Sequence, residues 1–66
     1  MAIQQVQLAS TALASASYND EDETLDITFQ NGRSYTYEGV PSEVFEALRD
    51  ARSPGTYFFQ NIKYRY

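Results

Sequence analysis

The side chains best suited to binding chemistry lie near the C-terminus, where cations alternate with tyrosines. The chain ends in Lys-Tyr-Arg-Tyr at residues 63–66, shortly after arginines at positions 49 and 52. If this end is extended, alternation places both of its cations on one side, where they could contact phosphates while the tyrosines pack or stack on bases. The alternative is an amphipathic end strand whose charges are simply solvated. The candidate nucleic-acid surface comprises Arg49, Arg52, Lys63, Tyr64, Arg65 and Tyr66.

A second candidate site is the start of a short predicted helix at Ser53-Pro54-Gly55-Thr56. Backbone N–H groups at a helix N-terminus attract anions such as phosphate, and Arg52 could add a charge-assisted contact. The Ser-Pro pair is equally well suited to capping the helix without any ligand. Both interpretations stay open: a purely structural cap, or a cap that also binds a small anion.

Few residues in this sequence are suited to catalytic or metal chemistry. The absence of histidine and cysteine removes the usual nucleophile–base pairs and the usual zinc ligand sets. A nucleophilic serine would need Lys63 as its base, and no pattern brings the two together. The acidic run Asp20–Glu23 lacks the glycine and the distal glutamate of a calcium loop, which favours a solvated charged turn. We therefore predict no enzyme activity, no metal site and no cofactor.

Length, charge and hydropathy bound the class of protein. A chain of 66 residues is expected to form one domain with a small core, to which six tyrosines and four phenylalanines contribute. The net charge of −4 divides into −7 over residues 1–46 and +3 over residues 47–66, which permits one basic face on an acidic protein. The sequence has neither a signal-peptide pattern nor a transmembrane run, so we expect a soluble cytoplasmic protein without membrane contact.

Apolar periodicity predicts an α+β fold, in which a three-stranded antiparallel sheet has one face packed by two short C-terminal helices. Residues 1–9 show no firm period and are expected to be frayed, which leaves residues 10–66 as a single domain. The predicted strands are 10–18, 24–30 and 33–38, and the predicted helices are 42–52 and 54–61.

The turn at Asn31-Gly32 determines which way the following strand faces. A two-residue turn pairs Gln30 with Arg33, whereas a three-residue loop with a left-handed glycine bulge pairs Phe29 with Arg33. The two registers differ by one residue, so they place every side chain of the return strand on opposite faces. We favour the bulge because it leaves only polar side chains on the outer face of the sheet.

The register in turn determines the role of Tyr35 and Tyr37. In the bulge register they lie opposite Ile27 and Leu25 and complete the core, whereas in the other register they form an exposed platform on which bases could stack. We favour the core and keep the platform as the alternative. The aromatic residues assigned to one or the other role are Tyr35, Tyr37, Tyr57, Tyr64 and Tyr66.

The order and spacing of several weak motifs resemble the KTSC domain, a small module named after the C-terminus of some lysyl-tRNA synthetases and also found as a stand-alone protein. The motifs are Ser10-Thr11, Tyr18, Leu25-x-Ile27-x-Phe29, Asn31-Gly32, Tyr35-x-Tyr37, Val40-Pro41, Phe45, Leu48, Ala51, Ser53-x-Gly55-x-Tyr57-Phe58, Ile62 and Tyr66. The chain departs from the family pattern at Phe59, where an asparagine tends to follow the aromatic pair. The resemblance implies RNA binding through its synthetase context and no enzyme activity.

Three functions follow as expectations. The first is a non-enzymatic module that binds RNA or another nucleic acid through Arg49, Arg52, Lys63, Arg65 and nearby tyrosines. The second is a homo-oligomeric protein that sequesters a small anionic nucleotide at Ser53–Thr56, a role that would suit a phage-encoded protein. The third is a protein–protein adaptor that uses an edge strand or its surplus of aromatic residues.

Overall fold

A computed structural model describes residues 3–66, which form one antiparallel sheet and two helices. The strands lie side by side in chain order, β1-β2-β3-β4. The bounds of the elements are β1 Ile3–Gln7, β2 Leu13–Asn19, β3 Thr24–Phe29, β4 Ser34–Tyr37, α1 Ser42–Asp50 and α2 Pro54–Asn61. The fold is therefore α+β with an antiparallel sheet, as predicted.

The sheet has four strands, so the prediction of three was wrong. The additional strand, β1, falls within the segment expected to be frayed and pairs with β2, with Val6 opposite Ala16. Val6 packs against the core and Leu8 is buried in it. Glutamines occupy three of the five positions of β1, which left too few apolar residues for an alternating pattern. Residues 1 and 2 of that segment lie outside the described residues.

The hairpin between β3 and β4 adopts the bulge register that the sequence favours. Tyr35 pairs with Ile27 and Tyr37 with Leu25. The Phe29 N–H donates to the Arg33 carbonyl oxygen at 2.8 Å, and Gly32 has a φ of +89°. Because this left-handed conformation carries little penalty for glycine, Gly32 makes the bulge possible.

The two helices cover one face of the sheet. Helix α2 has the predicted bounds, whereas α1 ends two residues before the predicted 52 because Ala51 is already extended, with ψ at 142°. In α1, Phe45 stacks on Tyr18 of β2, with ring centroids 5.0 Å apart. In α2, Phe58 meets the edges of Phe29 and Tyr37 from β3 and β4. The core therefore lies between the sheet and both helices.

The C-terminal segment is neither an extended tail nor a strand, which corrects the sequence interpretation. It winds into consecutive turns directly after α2. The Lys63 N–H donates to the Phe58 carbonyl oxygen at 2.9 Å, and the Arg65 N–H donates to the Ile62 carbonyl oxygen at 3.0 Å. In such a helix-like turn, residues two apart point in nearly opposite directions, so Lys63 and Arg65 do not share a face through strand alternation.

Candidate nucleic-acid interface

One surface cavity brings cations and aromatic rings together, and we call it the aromatic-basic cleft. It lies between the β3–β4 hairpin and the C-terminal end of α2 and has a volume of about 390 Å³. Its lining residues are Phe29, Asn31, Arg33, Tyr35, Tyr37, Phe59 and Lys63.

The hairpin fixes one wall of the cleft through its register. Phe29 and Arg33 pair across the turn, and Tyr35 and Tyr37 follow Arg33 at intervals of two residues. All four side chains line the cleft, as expected when side chains two apart lie on the same face of a strand. The bulge at Gly32 is thus the local feature that puts a cation beside the tyrosines.

Helix α2 supplies the opposite wall. Phe58 is buried and anchors the aromatic cluster, with its ring centroid 5.6 Å from that of Phe29 and 5.5 Å from that of Tyr37. Phe59 packs edge-on against Phe58 at 5.3 Å but leaves 42% of its surface exposed. The buried ring holds the helix in place, and the neighbouring ring presents an aromatic surface to the cleft.

Tyr35 and Tyr37 share the core-facing side of the sheet but differ in exposure. Tyr35 packs edge-on against Phe29 at 5.5 Å and keeps 49% of its surface exposed. Tyr37 is half-buried and packs against the core. Burial, with a smaller contribution from Tyr35, raises the pKa of Tyr37 above its usual value of 10.0. The register is therefore the one that places both tyrosines on the core-facing side, with Tyr37 packed against the core and Tyr35 largely exposed at its edge.

Two cations border these rings. The Lys63 ammonium lies 4.9 Å from the centroid of Phe59 and 5.4 Å from that of Tyr64, within cation–π range. Arg33 lines the cleft from the hairpin and is exposed. The sequence did not suggest Arg33 as a candidate, because it is the single basic residue within the acidic segment 1–46. The bulge register, which places Arg33 opposite Phe29, was the signal that could have found it.

A second cavity, of about 540 Å³, lies at the N-terminus of α2, and we call it the α2 cavity. It brings together the residues of the predicted anion site with the loop between β1 and β2. Its lining residues are Ala9, Ser10, Thr11, Ala12, Arg52, Ser53, Pro54, Gly55, Thr56, Phe59 and Gln60. Phe59 lines both cavities, so the two cavities adjoin at this residue.

The loop and the helix approach closely inside the α2 cavity. The Ser10 hydroxyl accepts hydrogen bonds from the N–H groups of Ala12 and Leu13 at 3.1 and 3.2 Å. A Cβ atom on Gly55 would lie 3.0 Å from that hydroxyl oxygen, so glycine permits the approach. Ser53 precedes the helix as its N-cap residue, with a backbone that is not helical.

Other predicted residues lie away from both cavities. The Arg49 guanidinium donates to both carboxylate oxygens of Asp50 at 3.1 Å, and these hydrogen bonds raise the pKa of Arg49 and lower that of Asp50. Arg65 and Tyr64 project from the C-terminal turns, and 85% of Tyr64 is exposed. Tyr66 is exposed as well, whereas Tyr57 packs against the core. The residues of the predicted nucleic-acid surface therefore lie in separate places, and Lys63 is the one among them that lines the aromatic-basic cleft.

Charge is distributed unevenly between the two ends of the sheet. The acidic β2–β3 turn and the β3–β4 hairpin lie at opposite ends of β3, because consecutive antiparallel strands reverse at alternate ends. Near the acidic end, burial raises the pKa of Tyr18, with smaller contributions from Glu23, Asp20, Glu43 and Glu46. The cleft with its cations is thus distant from the main group of carboxylates. Neither helix within residues 3–66 is long and apolar enough to cross a membrane.

Comparison with known proteins identifies the family. The family model described as "KTSC domain" matches residues 9–66. An uncharacterized protein of Stutzerimonas stutzeri is 42% identical over 97% of this chain and 94% of its own length, and a protein of Tsukamurella paurometabola is 35% identical over 86% and 85%. The crystal structure of a KTSC domain protein from Yersinia pestis, 30% identical, covers 97% of this chain and 90% of its own, with a TM-score of 0.90. The chain therefore belongs to the KTSC domain family.

Proposed function

We propose that this protein is a binding module for single-stranded nucleic acid, with RNA as its ligand, and that the aromatic-basic cleft is the binding site. The observation that carries this proposal is the placement of Arg33 and Lys63 beside the exposed rings of Tyr35 and Phe59. Rings and cations in one groove are the combination that single-stranded nucleic acids require.

In this proposal the rings of the cleft bind the bases and its cations bind the phosphates. A base stacked on Tyr35 or Phe59 contributes about 1–3 kcal/mol, largely independently of its identity. Arg33 and Lys63 then neutralise the adjacent phosphates, which makes the affinity dependent on salt. The volume of about 390 Å³ is in the lower part of the range for small-ligand sites, roughly 300–1,000 Å³, which suits a single nucleotide with the rest of the strand outside.

The distribution of charge supports the same site. The whole chain carries a net charge of −4, which by itself repels a polyanion. The acidic turn lies at the other end of the sheet, and the cleft is lined by two cations and no carboxylate, which favours the approach of phosphate. RNA as the ligand is also what the association of the family with lysyl-tRNA synthetases implies.

The test is a fluorescence-anisotropy titration of a labelled ten-nucleotide uridine RNA at low and moderate salt. Replacing both cleft cations, Arg33→Gln with Lys63→Gln, is expected to weaken binding about tenfold at low salt. The slope of log K against log salt should fall by about 1.4, which corresponds to two phosphate contacts with a single strand.

The matched control is the double variant Arg49→Gln with Arg65→Gln. It removes the same two charges from outside the cleft, where Arg49 is held by Asp50. We expect it to retain wild-type affinity and most of the salt slope. Equal losses in the two double variants would show that binding depends on net charge rather than on the cleft, and would contradict the proposal.

A second candidate function is favoured by the α2 cavity. There Arg52 and Thr56 line a volume of about 540 Å³ at the start of a helix, which is the chemistry that a small anionic nucleotide requires. This function would give saturable binding of a mononucleotide that the substitutions Arg33→Gln and Lys63→Gln leave unchanged.

A further inference from the structure

The turn between β3 and β4 carries a reactive pair of residues. Asn31 and Gly32 are adjacent and exposed, and Asn31 lines the aromatic-basic cleft. We propose that Asn31 is a site of spontaneous covalent modification, at which the backbone nitrogen of Gly32 attacks the side-chain amide and converts it to aspartate or isoaspartate. The reaction depends on the turn alone, and its effect on binding rests on the proposed function.

The reaction uses water as its co-reactant. A bond forms between the Gly32 backbone nitrogen and Asn31 Cγ while the bond from Cγ to Nδ2 breaks. The amino group leaves as ammonia, with the proton that the Gly32 nitrogen gives up. Water then adds to one of the two carbonyl carbons of the cyclic imide. One opening of the ring gives aspartate, and the other gives isoaspartate, in which the main chain runs through the side-chain carbons.

A backbone hydrogen bond prepares the Asn31 amide for this attack. The Arg33 N–H donates to Asn31 Oδ1 at 3.0 Å. This bond closes a ring of atoms that passes through Gly32, so it holds the side-chain amide folded back along the Gly32 backbone. The same N–H stabilises the negative charge that develops on Oδ1 when a nucleophile adds to Cγ, as the donors of an oxyanion hole do.

Glycine at position 32 leaves the attacking nitrogen unshielded. A Cβ atom built on Gly32 would meet no atom beyond its chain neighbours within 4 Å, so the space beside the nitrogen is open to water and base. The Gly32 N–H donates to the Phe29 carbonyl oxygen at 3.0 Å, so the turn must open locally before the nitrogen can attack. Exposed turns open at a low cost in free energy, and glycine adapts its backbone to the imide ring more readily than other residues.

Asn19 has the same hydrogen bond to the backbone and provides an internal comparison. Its Oδ1 accepts from the N–H of Glu21, two residues further on, at 2.9 Å. The residue that follows Asn19 is Asp20, whose side chain shields the backbone nitrogen and whose negative charge disfavours loss of the amide proton. We therefore expect Asn31 to react while Asn19 stays intact.

Under the proposed function, the modification weakens RNA binding. Either product adds a carboxylate at a residue that lines the cleft, where Arg33 and Lys63 supply the positive charge. Isoaspartate also adds an atom to the main chain within the turn, which disturbs the pairing of Phe29 with Arg33. The affinity of the protein for RNA should therefore decrease as the protein ages.

The experiment incubates the folded wild-type protein at 37 °C and at pH values from 7 to 9, and follows each asparagine by peptide mass spectrometry. We expect aspartyl and isoaspartyl peptides at Asn31, formed faster at higher pH because base removes the Gly32 proton, while Asn19 and Asn61 keep their amides. Asn31→Gln, in which the same attack would have to close a larger ring, should abolish the reaction. An Asn31 that stays intact, or that reacts no faster than Asn19, overturns the proposal.

A second measurement separates this proposal from the proposed function. Aged protein is resolved by ion exchange into unmodified and modified fractions, and each is titrated with the uridine RNA. We expect the modified fraction and the variant Asn31→Asp to bind about threefold more weakly at low salt. Gln5→Glu, an equal charge change at an exposed position of β1, should bind like the wild-type protein.

The two measurements fail in different ways. Equal affinity of the two fractions would overturn the effect of the modification on the cleft, while the modification itself would stand on the mass spectra. If the unmodified protein does not bind the uridine RNA, the proposed function fails and the reaction at Asn31 is still decided by the mass spectra. Thermal melting of each variant establishes that it is folded.

Discussion

The Tyr18–Phe45 pair and the aromatic-basic cleft are built from the same residue types in different surroundings. Tyr18 and Phe45 are fully buried, and their rings stack nearly parallel, 10° apart. The Tyr18 hydroxyl donates to the Val40 carbonyl oxygen at 2.6 Å. In the cleft, Tyr35 and Phe59 are about half exposed and meet their neighbours edge-on.

The difference shows which aromatic residues are available for binding. The buried pair has its polar atom satisfied inside the fold and no ring face open to solvent, so it contributes to stability alone. Tyr35 and Phe59 gain less from packing, since much of their surface stays in water, but a cation lies close to each of them. Under the proposed function, these exposed rings stack on the bases of a ligand, while the fold depends little on them.

Phe45→Ala should have the largest effect, and it should act on stability. Removing a fully buried phenylalanine costs about 3–5 kcal/mol in the free energy of unfolding, through lost burial and the cavity left behind. In so small a domain this loss should lower the melting temperature sharply or unfold the protein at 37 °C. Urea denaturation monitored by circular dichroism measures it. A loss below about 1 kcal/mol would contradict the packing described.

Tyr35→Ala should act mainly on RNA binding rather than on stability. The substitution should change the melting temperature little, because half of the side chain is exposed, and weaken RNA binding by the roughly 1–3 kcal/mol of one stacked base. Tyr66→Ala is the matched control, since 37% of Tyr66 is exposed and it lies outside the cleft. If both tyrosine variants bind equally well in the anisotropy titration, Tyr35 does not stack on a base.

Tyr18→Phe should have the smallest effect, about 0.5–1.5 kcal/mol of stability. It removes the buried hydrogen bond to Val40 and keeps the ring stack. RNA affinity should stay at its wild-type value, since Tyr18 lies within the core. A change in affinity without a change in stability would contradict the separation of the two aromatic groups.

The same variant has a signature in its pH dependence. Burial, and then Glu23, raises the pKa of Tyr18 above its usual 10.0. Above pH 10 the unfolded chain therefore loses this proton before the folded protein does, so stability that is complete at lower pH decreases as pH rises toward the folded-state pKa. Melting temperatures from pH 8 to 11 should decrease less steeply in Tyr18→Phe, with the raised pKa of Tyr37 leaving a residual slope.

The parts of the fold with strong periodicity could be predicted from the sequence. Alternation in β3 and the Asn31-Gly32 turn together specified the hairpin register, because a slip of one residue would have exposed the apolar face. Strand β1 could not be predicted, since it is stabilised by pairing with β2 and by a few inward side chains rather than by its own pattern.

The candidate site was predictable in parts. Lys63, Tyr35 and Tyr37 were each identified as candidates, but in separate groups, because only the three-dimensional contact between α2 and the hairpin joins them. Phe59 occupies the position where the family resemblance predicted asparagine, and its place between the two cavities has no signal in the local sequence. The prediction of an extended C-terminus was wrong because the alternating Lys-Tyr-Arg-Tyr sequence resembles a strand. In the structure, backbone hydrogen bonds to the carbonyl oxygens of Phe58 and Ile62 continue the helical winding instead.

Nitrogen-15 chemical-shift mapping of the intact protein during titration with the uridine decamer tests the central claim most directly. We expect saturable shifts at the backbone amides of the cleft residues Asn31, Arg33, Tyr35, Tyr37, Phe59 and Lys63, with little change at Tyr18 and Phe45. Shifts concentrated at Arg52, Ser53 and Thr56 would favour the α2 cavity instead. An absence of shifts at concentrations well above those used for binding would contradict the assignment of the cleft as a nucleic-acid site.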